Sequence, residues 1–230
     1  NCITIKTAGI MESVLAEKIE PLMEKNSSNF SFSFLPHYTG VAFRIRCKNK
    51  KVNLDNIKND FFKEMYPYAY GIDDDTLEKI LAQKILEKKY SISTAESCTG
   101  GLISKRLINV PGSSKYFIGG ITAYSNDIKM GILGVSKKSL QKYGSVSEKV
   151  ALEMAENIRK IMNVDIGIST TGISGPDGGS EGKPVGLVYI GIVMPNVSIV
   201  KKYIFQVKRS IHHEMVATAA LNTTRILIDQ

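Results

Sequence analysis

Strict alternation of apolar and polar residues marks the early part of the chain. Ile3 and Ile5 open a short strand, Phe30, Phe32 and Phe34 alternate with serines, and Val41, Phe43 and Ile45 alternate with Ala42, Arg44 and Arg46. A period of two is the mark of a strand with one wet face. The turn Pro36-His37-Tyr38-Thr39-Gly40 makes the last two a hairpin. Around them the period lengthens to that of a helix at residues 12–25, where Pro21 predicts a bend or an early stop, and again at residues 54–65. Residues 68–70 close the set as a last strand. The order β-α-β-β-α-β predicts a small α+β module over residues 1–72.

Asp73-Asp74-Asp75 marks a boundary. Asp75, with Glu78 three residues on, reads as a capping box that starts a helix to about residue 89. Beyond it the pattern predicts a strand at 91–95, a helix at 100–109, a strand at 116–124 and a short helix at 127–133. Ser145-Val-Ser-Glu148 reads as a second capping box, opening a long amphipathic helix to Met162. Strands at 165–170, 185–194 and 198–206 follow, then a terminal helix at 211–228 with an Ala-rich stripe. Helices interleaved with strands predict a layered α/β/α domain over residues 73–230.

Composition narrows the class. The 230 residues are 43% hydrophobic and 23% charged, which excludes a disordered, collagenous or coiled-coil chain. No apolar run reaches the length of a membrane span, so no membrane partner is expected. The opening Asn1-Cys2-Ile3 has neither an initiator Met nor a signal-peptide pattern, as expected of a fragment or a processed product. Cys2, Cys47 and Cys98 are far apart and form no C-x-x-C pair. That excludes a zinc site of the usual spacing, argues against a disulfide framework, and points to a reduced, cytoplasmic setting. The only histidines are His37, His212 and His213, so a catalytic His must be one of these. The net charge of +8 suits an anionic partner, either nucleic acid or a small molecule bearing phosphate. Its scattered pairs, Lys48-Lys50-Lys51, Lys88-Lys89, Lys137-Lys138 and Lys201-Lys202, read equally as solvated surface.

Three polar and glycine-rich clusters could carry chemistry. Thr94-Ala-Glu-Ser-Cys-Thr-Gly-Gly101 lies between a strand and a helix, where free helix N–H groups suit a phosphate or an oxyanion. A plain βα turn with a capping Ser or Thr reads the same way. Gly112-Ser-Ser114, Gly119-Gly120 and Tyr124-Ser-Asn-Asp-Ile-Lys129 form the second, which also reads as a capped helix with a surface lysine. The third, Thr170 to Gly186, is too glycine-rich to be regular, and a long loop in a compact domain is more often functional than idle. Within it, Gly178-Gly-Ser-Glu-Gly182 matches the nucleophile-elbow string but is followed by Pro184 and a strand, not a helix. Gly182-Lys183 lacks the remaining residues of a phosphate-binding loop, and Ser139-Leu-Gln-Lys142 matches S-x-x-K without its companion motifs.

These strings resemble a known family. Thr94–Gly101, Pro111-Gly-Ser-Ser114, Gly119-Gly120 with Tyr124-Ser-Asn126 and Lys129, and Gly172-Ile-Ser-Gly-Pro-Asp-Gly-Gly179 with Lys183-Pro-Val-Gly186 are similar to the C-terminal domain of the competence/damage-inducible CinA proteins. The single-domain form of that family is the nicotinamide-nucleotide amidase. Residues 1–71 resemble, more loosely, the family's KH-like module through Leu35-Pro36 and Gly40-Val-Ala-Phe-Arg-Ile-Arg46. The resemblance implies hydrolysis of nicotinamide mononucleotide to nicotinate mononucleotide and ammonia by a Ser/Lys mechanism, in pyridine nucleotide recycling. It implies Ser97 as nucleophile, Lys129 as base and Tyr124 as proton relay or orienter. Substrate contacts are expected from Glu96, Cys98, Thr99, Gly100, Gly101, Gly120, Thr171, Gly172, Ser174, Gly175, Lys183 and Arg209. The residues agree with such a mechanism: a Ser hydroxyl needs an adjacent base, histidine is scarce, and a lysine whose pKa falls through burial can replace it. No cofactor and no metal is implied. The resemblance departs at His212-His213, where relatives often carry a second Arg after the position of Arg209.

The family's full-length chains also carry a molybdopterin-binding-like domain, which is missing here. A homo-oligomer is expected. The rival reading is a non-catalytic nucleic-acid-binding or scaffolding protein. A KH domain that clamps RNA needs a G-x-x-G loop, and residues 1–71 hold only Gly9, Gly40 and Gly71, so no nucleic-acid partner is expected.

Overall fold

The computed structural model describes residues 1–48 and 54–230. Lys50 and Lys51 of the first lysine group lie outside the described residues. The chain divides into two compact units, Asn1–Ile80 and Leu81–Gln230.

The first unit is a four-stranded antiparallel sheet in the order β2-β3-β1-β4, with β1 at Cys2–Thr7, β2 at Phe30–His37, β3 at Gly40–Cys47 and β4 at Ala69–Ile72. Helices α1 (Glu12–Asn26) and α2 (Leu54–Glu64) supply Leu15, Ile19, Ile57 and Phe61 to a core with Ile5, Phe43 and Ile45. The Phe43 and Phe61 rings lie 5.0 Å apart. The alternate residues Ser31, Ser33, Arg44 and Arg46 are left on the wetter face, as the period-two pattern requires. Pro21 neither bends α1 to an end nor stops it; the helix runs on to Asn26. Pro21 and Glu17, whose carbonyl loses its hydrogen bond to the ring nitrogen, are both exposed, so water satisfies the orphan group.

The second unit is a mixed five-stranded sheet in the order β6-β5-β7-β8-β9. Its strands are β5 (Ile92–Glu96), β6 (Phe117–Thr122), β7 (Ile166–Gly172), β8 (Leu187–Met194) and β9 (Val197–Ile204). Strands β6, β5 and β7 are parallel; β8 and β9 add antiparallel to them. Helix α7 (Glu148–Ile161) covers one face so closely that a Cβ on Gly167 would strike the Ala155 carbonyl. Helices α4 (Leu102–Ile108) and α8 (Arg209–Ile228) cover the other. The result is the layered α/β/α domain. Helix α3 (Leu77–Glu87) spans the join between the units, and the short helices α5 (Asn126–Gly131) and α6 (Lys137–Tyr143) precede α7.

Both predicted capping boxes shift along the chain. Thr76, not Asp75, accepts the first-turn N–H of α3, from Lys79 at 3.3 Å. The Asp75 carboxylate turns back to Ile72 N–H at 3.1 Å and to the Lys79 ammonium. Ser147, not Ser145, caps α7 by accepting the Val150 N–H. Helix α6 was not predicted. It is held by Glu153 of α7, which accepts Ser136 N–H and the Ser139 hydroxyl, and not by an apolar stripe that periodicity reveals. Among the described residues no helix is long and apolar enough to cross a membrane.

Candidate active site

Strands β6, β5 and β7 end side by side, so the residues that follow them gather at one edge of the sheet. Ser97 is the first residue after β5, and its N–H is held by Thr170 O at 2.9 Å. Gly100 and Gly101 take positive φ of 61° and 98°, a region that L side chains rarely adopt, and swing the chain from this edge into α4.

Glu96 decides what the start of α4 can bind. Its carboxylate, 1% exposed, accepts the N–H groups of Gly101 and Ile103 at 3.0 Å and of Ser104 at 2.8 Å. It also accepts the hydroxyls of Ser104 and Thr94. The helix N–H groups expected to await an anion are therefore occupied by the protein's own carboxylate, placed where the helix dipole favours negative charge. Glu96 points under α4 and acts as its cap. Gly120, on the neighbouring strand, belongs to the same packing, since an added Cβ would lie 2.5 Å from the Ser104 hydroxyl.

On the other side of Ser97 stands Lys129. Ser125 caps the short α5 by accepting Ile128 N–H, and this places Lys129 one turn in, 2% exposed. Its ammonium nitrogen lies 3.0 Å from Ser97 Oγ, 2.7 Å from Ala123 O and 3.2 Å from Tyr124 O. Among the described residues no carboxylate pairs with it. Burial therefore pushes its pKa down from the ordinary lysine value of 10.5. In the neutral amine the two carbonyls take two N–H bonds, leaving the lone pair for the serine hydroxyl.

Cys98, the rival nucleophile at the same turn, is buried, and burial pushes its thiol up to about 12, so it stays protonated at neutral pH. Thr99 is spent on Thr170, hydroxyl to hydroxyl at 2.8 Å. The backbone N–H groups of Cys98 and Thr99, the two residues after the serine, make no backbone hydrogen bond to another described residue.

The Tyr124 side chain goes elsewhere than its predicted relay role requires. It is 64% exposed, and its hydroxyl accepts from Arg209 Nη2 at 3.2 Å, not from Lys129 or Ser97. Arg209 Nη1 donates to Gly175 O at 2.9 Å. Arg209, Tyr124 and the Ser174–Gly175 turn thus form one cluster beside Lys129, whose third partner is the Tyr124 carbonyl. Ser174 Oγ is buried there without a hydrogen-bond partner among the described residues. Lys183 is not brought to this cluster; its ammonium rests on Tyr143 O at 2.5 Å, at the end of α6. Thr171 and Gly172 serve packing: Thr171 bonds Ser145 O, and Gly172 lies against the Leu187 carbonyl. His212 is buried against Gly186 O, one turn along α8 from Arg209.

Of the main-chain groups here, the carbonyls of Ala123 and Tyr124 were not predicted. Every residue carries such groups, so no residue type signals them.

A family model described as the CinA C-terminal domain matches residues 74–228. The chain belongs to the CinA family. A second model, the KH domain of damage-inducible protein CinA, matches residues 3–56. This CinA-family chain is 45% identical over 194 residues to a putative competence-damage inducible protein of Clostridium kluyveri, covering 82% of this chain and 47% of that protein. It is 40% identical over 237 residues to a CinA-like protein of Chloroherpeton thalassium, covering 98% and 56%. The chain thus spans about half the length of the curated relatives it matches. Among solved structures, the competence/damage inducible protein CihA of Agrobacterium tumefaciens is 34% identical with a TM-score of 0.61, over 68% of this chain and 98% of that one. A CinA superfamily protein from Escherichia coli is 31% identical with a TM-score of 0.61, over 66% and 91%.

Proposed function

We propose that this CinA-family chain hydrolyses the carboxamide of a phosphorylated pyridine nucleotide, nicotinamide mononucleotide, to the carboxylate and ammonia. The observation that carries the reading is the buried Lys129 nitrogen, 3.0 Å from Ser97 Oγ and, among the described residues, without a carboxylate partner. Neutral Lys129 takes the hydroxyl proton as Ser97 Oγ attacks the amide carbon. The N–H groups of Cys98 and Thr99 are the donors at hand for the oxyanion. Lys129 then passes its proton to the leaving nitrogen, the C–N bond breaks, and ammonia departs. Water, deprotonated by the same amine, cleaves the acyl ester and restores Ser97. The net change is one amide and one water converted to one acid and one ammonia, a step that recycles pyridine nucleotides.

Arg209 serves as the phosphate contact, with Tyr124 orienting its guanidinium. A charge-assisted hydrogen bond to phosphate contributes about 1.5–3 kcal/mol, so loss of the phosphate lowers kcat/KM by about tenfold or more. The test is ammonia release from nicotinamide mononucleotide, its riboside and unrelated amides. Wild type turns over the mononucleotide best, Arg209→Ala discriminates poorly, and Lys183→Ala, tied elsewhere, discriminates nearly as wild type. No ammonia from any amide refutes the hydrolase reading. Equal rates on mononucleotide and riboside refute the phosphate contact alone.

A further inference from the structure

The sequence singles out His212-His213, and the proposed reaction leaves both unused. His212 is fully buried in the first turn of α8, its ring edge-on to Phe205 with centroids 6.1 Å apart. Its Nε2 lies 3.1 Å from Gly186 O. A carbonyl only accepts, so Nε2 carries the proton and the neutral ring keeps its lone pair on Nδ1. Nδ1 is buried and has no hydrogen-bond partner among the described residues. A second proton there would be a buried donor with nothing to meet, and burial pushes the His212 pKa below its ordinary value of 6.5.

Gly186 ends the long loop. Its φ is +93°, and the Phe205 carbonyl oxygen lies 2.5 Å from where a Cβ would stand, so no side chain fits. Its N–H donates to Ile173 O at 2.7 Å, and Ile173 N–H donates to Leu187 O at 2.8 Å. These bonds close the loop at a neck just before Ser174 and Gly175. Residues 176–182 are exposed, whereas Ser174 and Gly175 at one end and Gly186 at the other are buried. Arg209 and His212, three residues apart, share one face of α8. Arg209 Nη1 holds Gly175 O while His212 holds Gly186 O. One helical turn thus grips the loop at both ends.

We propose that His212 is a positioning residue for the substrate phosphate: by fixing Gly186 it fixes the neck of the loop, and hence the Gly175 carbonyl that aims the Arg209 guanidinium. The proposal rests on the amidase reading and on Arg209 as its phosphate contact. His212 itself, fully buried, touches no substrate.

Three measurements test it. Ring-nitrogen NMR shifts of the wild-type chain report the tautomer, and a neutral His212 protonated on Nε2 is expected at neutral pH. Ammonia release is then compared on nicotinamide mononucleotide and its riboside. His212→Phe, which keeps a ring and loses the donor, lowers the kcat/KM preference for the mononucleotide about fivefold, the effect of one neutral hydrogen bond. The loss falls on KM for the mononucleotide, and the riboside rate is kept. His212→Gln, whose amide N–H reaches Gly186 O, restores most of the preference. On an Arg209→Ala background His212→Phe lowers it no further, because both act through one contact. Should His212→Phe fail to fold, His212→Asn, whose amide falls short of the carbonyl, takes its place. Third, amide exchange at Ile173 and Gly186 is faster in the donor-less variant than in His212→Gln. A charged ring or an Nδ1–H tautomer, equal losses on both substrates, or losses that add to those of Arg209→Ala overturn the proposal. Equal wild-type rates on the two substrates refute the phosphate contact, and this role of His212 with it. No ammonia from any amide refutes the hydrolase reading instead; the ring signal and the exchange rates then decide whether His212 clamps the loop.

Discussion

Two junctions at the same sheet edge each bury a charged side chain and put it to opposite use. At the β5–α4 junction, Glu96 is surrounded by donors: three backbone N–H groups and two hydroxyls, with the positive end of a helix added. At the turn from β6 into α5, Lys129 meets, among the described residues, only neutral acceptors, two carbonyls and Ser97 Oγ. A buried charge whose hydrogen bonds are all made by dedicated donors is held in place and acts as structure. A buried charge with no opposite charge beside it is held at a cost that giving up its proton relieves. The two meet at Ser97, which follows Glu96 in the chain and lies 3.0 Å from the Lys129 nitrogen.

The comparison breaks most visibly at the serine between the two. Ser97→Ala is expected to fold normally and lose amide hydrolysis by about three orders of magnitude or more, measured as ammonia release, while Cys98→Ala keeps most of it. A dead Cys98→Ala beside an active Ser97→Ala would reverse the assignment.

The next largest effect falls on the reagent. Lys129→Arg should be nearly as inactive as Lys129→Ala, a loss of about 10²–10⁴, because a guanidinium does not give up its proton near neutral pH. The wild-type rate should climb with pH through the lowered Lys129 pKa and level off before the ordinary value of 10.5. Stability follows the same sign. Between the lowered folded-state pKa and 10.5 the unfolded chain binds more protons, so wild-type stability rises with pH across that window. Lys129→Met should therefore raise Tm most at the acid side and progressively less as pH approaches 10.5. A flat Tm difference would mean that the lysine buries no charge.

On the scaffold side, Glu96→Gln should cost about 2–3 kcal/mol in denaturant unfolding, with a far smaller effect on kcat in the folded fraction. A variant of normal stability but collapsed kcat would make Glu96 a reagent as well. The smallest effect is expected from removing the first unit. A fragment of residues 73–230 should retain activity within about twofold, consistent with solved relatives of similar extent such as the Agrobacterium protein, 98% of which this chain covers.

How legible these features are in the sequence depends on whether local spacing or distant neighbours create them. The Phe30–Phe34 and Val41–Ile45 strands are legible because one wet face imposes a period of two. Ser97 stands out by its place between a strand and a helix. Lys129 does not: on its own it reads as a surface lysine on a capped helix, and the family resemblance singled it out. Its burial comes from the way α5 lies between Ser97 and the carbonyls of Ala123 and Tyr124, which no local pattern encodes. The resemblance implies Glu96 as a substrate contact; its capping role is not legible locally, because its partners five, seven and eight residues on face it only once α4 folds over it. Helix α6 stays hidden for the same reason, since it is held by the distant Glu153 carboxylate and by one apolar residue, Leu140, packed on the core.

Tyr124 divides its labour between two parts of one residue. Its carbonyl helps to hold Lys129, while its exposed ring reaches Arg209. A carbonyl survives any substitution that leaves the backbone in place, whereas the ring does not. On the proposed mechanism, substitution at position 124 therefore changes what meets Arg209 without dislodging the Lys129 amine, whereas Ala123 is buried in the core and has no such freedom. If Lys129 is the base as proposed, an amine anchored to main chain in this way is a stable starting point for evolutionary drift in substrate choice.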